Sequence, residues 1–157
     1  MPPRLAPRGG AIAGQFMRPV DTLFARYAES HRHPVNKAIH WVCVPLITWS
    51  VLALAWALSP VVAVALALAA CGFYLWLSRL LAVGMLAVFA TLAYPLTLVH
   101  HDLVPIALAV FVAAWIGQFV GHHIEGRKPS FLDDLKFLLV GPAWLLGEAY
   151  RRLGMPY

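Results

Sequence analysis

The chain has 157 residues, of which 61% are hydrophobic and only 12% charged, with a formal net charge of +5 and a mean hydropathy of +0.74. Soluble domains carry roughly 25% charged residues, so a water-soluble globule is excluded, and so apolar a chain is not intrinsically disordered. The two cysteines, Cys43 and Cys71, both lie inside apolar runs, which argues against a secreted disulfide scaffold.

Charge is confined to the two flanks. Residues 1–40 carry six basic groups (Arg4, Arg8, Arg18, Arg26, Arg32 and Lys37) against Asp21 and Glu29. The next 81 residues, 41–121, hold only Arg79 and Asp102. Residues 122–157 then bring Arg127, Lys128, Lys136, Arg151 and Arg152 against four acids. Basic groups that flank a lipid-compatible block read as topology signals, and nucleic acid is not an expected partner. We read an integral membrane protein.

The first element in chain order is amphipathic. Over residues 15–29, Phe16, Val20, Leu23, Phe24 and Tyr27 recur at helical spacing, with Arg18, Asp21 and Arg26 elsewhere. This predicts a helix lying on the membrane surface. About 20 residues cross a bilayer, so the apolar block must fold back on itself. Ser59-Pro60, Ser78-Arg79 and His100-His101-Asp102 divide it into spans at about 41–58, 61–77, 80–99 and 103–121. After the block, Ser130 with Asp133 three residues on predicts a capped helix over 131–140. Gly141-Pro142 is expected to break it, and a last short helix follows over 142–153. The expected fold is all-α: an integral membrane four-helix bundle with amphipathic interfacial helices at both ends, as one domain over 1–157. The positive-inside rule places both termini in the cytoplasm, and the Ala/Leu-rich style suggests a bacterial inner membrane. The apolar run starts only near residue 41, so no cleavable signal peptide is expected.

Seven histidines in so apolar a chain carry the chemistry. His31, His33 and His40 stand at the entry to the first span, and His122 and His123 at the exit of the fourth. The predicted topology puts these five on one membrane face, with His100 and His101 about 30 Å away across the bilayer. Asn36 and His40 are four apart and share a helix face. Gln118, His122 and Glu125 fall at i, i+4 and i+7 and also point one way, whereas His123 points elsewhere. Two imidazoles and a carboxylate suit non-haem Fe(II), and three histidines suit zinc or iron; spacing alone leaves the metal open. The competing reading is that such residues simply sit hydrated in the headgroup zone, and it is preferred for His33, His123 and the His100-His101-Asp102 turn. Arg127 and Lys128 are either membrane anchors or a clamp for a carboxylate next to the metal. Trp41, Trp56, Trp76, Trp115, Trp144, Tyr150 and Tyr157 mostly mark span ends, as aromatic belts do, and are assigned no chemistry.

Two motifs now take on a pattern. The first is Tyr27-Ala28-Glu29-Ser30-His31, then Pro34, Asn36, Lys37, Ile39-His40-Trp41 and Val44-Pro45. The second is Gln118-Phe119-Val120-Gly121-His122, then Ile124-Glu125-Gly126-Arg127-Lys128-Pro129-Ser130, continuing to Asp134-Leu135, Leu138 and Gly141-Pro142. Together they resemble the Fe(II)-dependent 2-hydroxy fatty acid dioxygenase family over about residues 15–150. The resemblance implies α-oxidation, in which a 2-hydroxy fatty acid and O2 give the acid one carbon shorter, with Fe2+ as cofactor and the lipid bilayer as surroundings. His31, His40 and His122 match the family's motif histidines, and Asn36, Gln118 and Glu125 other recurring motif positions. His31, His40, His122 and Glu125 are the candidate metal ligands; Asn36, Gln118, Arg127 and Lys128 are the candidate catalytic residues. A haem-binding membrane electron carrier and a metal-free scaffold or lipid-binding protein are the alternatives. The first needs paired axial histidines at ring depth, and the second needs no convergent histidines.

Overall fold

The computed structural model describes residues 18–98, 102–132 and 135–157. Phe16, the His100-His101 turn and Asp133 lie outside the described residues, so the expectations placed on them are not addressed. The described residues form helices and connecting turns, with no strand among them. In chain order these are α1 (Pro19–Ala28), α2 (Pro34–Leu58), α3 (Pro60–Leu77), α4 (Arg79–Ala93), α5 (Leu103–Glu125) and α6 (Phe137–Arg152). Short 3-10 turns occupy Tyr94–Thr97 and Ser130–Leu132.

Four of these elements, α2, α3, α4 with its 3-10 extension, and α5, are long and apolar enough to cross a membrane. Only 17–33% of the most apolar window of each is buried inside the protein. The rest is outward-facing Val, Leu, Ile and Phe, as expected of a surface solvated by lipid. Ser59 and Ser78 cap the next helix in turn: their hydroxyls accept from the backbone N–H of Val61 and Leu81.

The helix limits differ from expectation in five places: the helix expected from 131 begins only at Phe137, after a separate 3-10 turn at Ser130–Leu132, and the other four each have a local reason. α2 begins at Pro34, two turns earlier than hydropathy indicates, because Pro34 takes the first helical position and His33 Nδ1 accepts from Val35 N–H as the cap. Asn36 and His40 thereby ride on the span itself. α5 continues one turn past 121 and carries His122 and Glu125 before Gly126, at φ +70°, ends it. The N–H groups of Gly126 and Arg127 both return to the His122 carbonyl region, closing a left-handed cap. α4 gives way to a 3-10 turn at Tyr94, where Pro95 interrupts α-helical bonding. Finally, Gly141-Pro142 does not break the C-terminal helix: α6 runs through it. Pro142 leaves the Leu138 carbonyl without its usual helical donor, and the Tyr74 hydroxyl donates to the neighbouring carbonyl, Leu139 O, at 3.0 Å. Gly141 lets this turn lie directly against the Tyr27 hydroxyl.

α5 packs chiefly along α2, and α3 pairs with α4. Close approach of α2 and α5 depends on Gly117 and Gly121, one turn apart. A methyl group on Gly117 would meet Cys43 Sγ at 2.7 Å, and one on Gly121 would meet Asn36 Oδ1 at 2.4 Å. This is the small-residue spacing that lets membrane helices touch backbone to backbone. At the end of the bundle that carries the chain's basic flanks, α1 and α6 pack together. Val20, Leu23, Phe24 and Tyr27 meet Phe137, Val140 and Trp144 there.

Candidate metal centre

Three histidines from three segments converge beneath the α1–α6 layer. His31 comes from the turn after α1, His40 from the second turn of α2 and His122 from the last turn of α5. They are 1%, 2% and 4% exposed, and one ligand nitrogen from each lies within 4.8 Å of the others. Ring centroids stand 4.3–5.0 Å apart and the planes are near perpendicular, at 77–86°. His33 and His123 are exposed and take no part.

The hydrogen bonds fix which nitrogens are free. His31 Nδ1–H donates to Tyr27 O at 2.6 Å, and His40 Nδ1–H donates to Asn36 O at 2.9 Å. Carbonyls only accept, so each Nε2 carries a lone pair in the neutral ring. These two Nε2 atoms face each other at 2.9 Å. His122 adds Nδ1, which is buried without a hydrogen-bond partner. A proton is a poor bridge here, since burial pulls the His31 pKa down to about 4. A metal cation would take the lone pairs of His31 and His40 Nε2 together with one nitrogen of His122. Imidazole nitrogens bind first-row metals at about 2.0–2.1 Å, so neighbouring ligands stand about 3 Å apart, as His31 Nε2 and His40 Nε2 do at 2.9 Å. The donor set fits a metal ion.

The surroundings hold each ring in place. His31 stacks on Tyr27, with centroids 4.0 Å apart and planes within 13°. Ser30 Oγ reaches both His31 Nδ1 (3.2 Å) and Ser130 Oγ (2.6 Å), which ties the loop after α5 to the loop after α1. Backbone and hydroxyl partners of this kind orient ligating histidines and raise their basicity.

The other sequence-predicted residues fall into two groups. Asn36 is fully buried, and Nδ2 donates to Ser30 O (3.0 Å) and Glu125 Oε2 (3.2 Å). Gln118 is buried one turn before His122 and lines a cavity with His31 and His122. Glu125, expected as a fourth ligand, is engaged elsewhere. Its Oε1 accepts from Arg32 N–H at 2.9 Å and its Oε2 from His33 N–H at 2.8 Å. The carboxylate thus clamps the turn that presents His31, and it is not part of the converging set. Arg127 and Lys128 are exposed and line a separate polar cavity of about 140 Å³ with Arg26, Glu29, Ser30 and Ser130. The Ser30–Ser130 pair stands between them and the histidines.

Sequence reasoning assigns no role at the site to Ser30, Ser130 or Trp115, and expects Ser130 only as a helix cap. The Trp115 Nε1–H is buried with no partner and its ring lines the histidine cavity. Its place one turn before Gln118 and two before His122 is the signal that identifies it. The histidine cavity, about 60 Å³, is otherwise walled by Val44, Ile47, Phe131, Leu138 and Pro142. It adjoins a larger apolar one of about 530 Å³, with which it shares Ile47, Thr48, Trp115, Leu138 and Pro142.

Comparison with known proteins gives a consistent picture. The family described as "2-hydroxy-palmitic acid dioxygenase Mpo1-like" matches residues 17–153. The 2-hydroxy-palmitic acid dioxygenase MPO1 of Saccharomyces cerevisiae is 31% identical over 141 residues, covering 82% of this chain and 78% of its own length. No solved structure matches.

Proposed function

The chain belongs to the Mpo1-like family, and from that premise we propose that it is an Fe(II)-dependent dioxygenase that shortens 2-hydroxy fatty acids by one carbon. The observation that carries this reading is a three-histidine cluster of which His31 and His122 line a small cavity that adjoins a larger apolar one. A substrate with one polar, chelating end and one long apolar end needs both.

The reaction balances without a second reductant. R-CH(OH)-COOH plus O2 gives R-COOH, CO2 and water, so the substrate supplies all four electrons. His31, His40 and His122 would hold the metal. Bound there, Fe(II) supplies open positions for the substrate's carboxylate and hydroxyl oxygens and the one-electron chemistry that O2 requires.

The chain's own residues do the remaining work. Tyr27 O and Asn36 O keep the Nδ1 protons of His31 and His40 in place, so both rings present Nε2. Glu125 fixes the His31 turn through the backbone of Arg32 and His33, and Asn36 fixes Glu125. Gln118 and Trp115 line the same cavity as His122, and their side-chain N–H groups would bond the substrate's oxygens. Arg127 and Lys128 attract the carboxylate from the basic face without touching it in the cavity. By the positive-inside rule that face is cytoplasmic. The acyl tail enters from the bilayer.

The haem alternative is disfavoured by space. The His31 and His40 Nε2 atoms stand 2.9 Å apart, closer than the roughly 4 Å between axial imidazoles on opposite faces of one iron. The cavity beside the histidines, about 60 Å³, is too small for a porphyrin. The test is oxygen uptake by purified protein, loaded anaerobically with Fe(II), on adding 2-hydroxypalmitate. Iron-dependent uptake with pentadecanoate as product supports the reading. No uptake together with no retained iron overturns it and favours a metal-free scaffold.

A further inference from the structure

Three cavities lie in series along one face of α2. The histidine cavity opens at Ile47 and Thr48 into the 530 Å³ apolar cavity. That second cavity has α2 as its floor, α3 on one side through Leu66, Ala67, Ala70 and Tyr74, and α5 on the other through Phe111 and Trp115. Its size is that of a ligand site rather than a packing defect. Beyond it, a third cavity of about 160 Å³ reaches Trp56, Ala63 and Leu96. Leu52, Ala67 and Phe89 border both the second and the third, and form the partition between them.

The dimensions match an acyl chain. From His40 to Leu52 is twelve residues of helix, or about 18 Å at 1.5 Å per residue. A bilayer's hydrocarbon core is about 30 Å across two leaflets, so one acyl chain reaches about 15 Å. A tail that starts at the histidines therefore ends at the Leu52–Ala67–Phe89 partition. The walls are almost wholly apolar, as a hydrocarbon chain requires. Leu66 and Val51, which border the same space, are exposed, so the cleft is open sideways to lipid.

We propose that this cleft holds the substrate's acyl tail and that Leu52, Ala67 and Phe89 set the chain length the protein accepts. The proposal rests on the dioxygenase reading above. Ala67 is the adjustable element, since its methyl group leaves the end of the cleft open. A larger side chain there shortens the space, whereas removal of the Phe89 ring joins the second cavity to the third and lengthens it. A tail denied its place must bend out into the surrounding lipid and loses its packing against the cleft walls.

The test is a chain-length profile measured on the full, Fe(II)-loaded protein with 2-hydroxydecanoate, 2-hydroxypalmitate and 2-hydroxyarachidate. Binding of the corresponding plain fatty acids is followed in parallel by quenching of the Trp115 fluorescence, taken as the difference from Trp115→Phe. Ala67→Phe is expected to cut kcat/KM and binding for the palmitate chain by one to two orders of magnitude, with the decanoate chain unaffected. Phe89→Ala is expected to shift preference toward the arachidate chain. Ala67→Leu gives the same shortening more mildly, should either variant fail to accumulate. A wild-type protein that is active, with folded Ala67 variants whose profile is unchanged, overturns the proposal and leaves the dioxygenase reading standing. A wild-type protein inactive on every chain length overturns the dioxygenase reading, and the length gauge falls with it.

Discussion

Gly121 lies so close to Asn36 that a single added methyl group would come within 2.4 Å of the Asn36 carboxamide oxygen. This contact sets the distance between α2 and α5, and with it the distance between His40 and His122. The Asn36 carboxamide has no room to retreat, because its nitrogen is bonded to both Ser30 O and Glu125.

Gly121→Ala is accordingly expected to destabilise the protein. Alanine raises helix propensity by about 1 kcal/mol, but overpacking at a tight contact costs about 1–3 kcal/mol. The expected net result is a lowered Tm in detergent and weaker metal retention, read by calorimetry and by metal content after dialysis.

Glu125 and His122 lie one turn apart and are expected to respond differently. His122→Ala removes a donor from the converging set and is expected to abolish metal binding. Glu125→Gln keeps one carboxyl-type oxygen for the turn but offers an NH2 to a second backbone N–H, so the clamp is half lost. Supporting groups of this kind are worth about 10–100-fold in metal affinity. Metal titration of the two variants checks the distinction: a total loss in Glu125→Gln would make the carboxylate a ligand.

The pH response follows from burial of His31. Desolvation holds the folded-state pKa at about 4, below the ordinary value of 6.5. The unfolded chain therefore binds more protons between these two values, and stability rises with pH across that window. Acidification from pH 6.5 toward 4 is expected to cost up to about 1.4 kcal/mol per pH unit from this residue. Below about 4 no further loss arises from it. Metal-free protein should show the fall in denaturation midpoint; metal-loaded protein should show metal release over the same window, because protons compete with the ion for the same lone pair.

Tyr74→Phe tests what the bond between α3 and α6 contributes. The hydroxyl's bond to Leu139 O is removed with almost no change in shape. Loss of one such bond is expected to cost about 1 kcal/mol, seen as a modest drop in Tm with the metal site intact.

Much of this architecture is written in hydropathy. The four apolar stretches and their turns mark α2 to α5 because a lipid-facing helix cannot hide polar groups. Hydropathy fails where a helix leaves the apolar region. α2 starts at Pro34 and α5 ends at Glu125 for reasons of capping, so the turns that carry His40 and His122 are invisible to an apolar window. Among the site residues, periodicity places Gln118, His122 and Glu125 on one face of α5. It does not say what stands opposite that face. The backbone N–H groups of Arg32 and His33 have no residue-type signature, and they are what engages Glu125. Likewise Pro142 reads as a breaker, since the contacts that hold α6 around it, with Tyr74 and Tyr27, come from distant helices.

The three donors also have a consequence for how the protein is made. His122 follows His40 by 82 positions, and two further span-length helices are threaded between them. During synthesis the first two histidines are in place long before the third exists, and they offer an incoming ion only a partial coordination set. The complete site forms only when α5 has entered the membrane and Gly117 and Gly121 have docked on α2. The donor set is therefore completed only by the last span, and an ion held by all three histidines would mark a chain in which that span is in place.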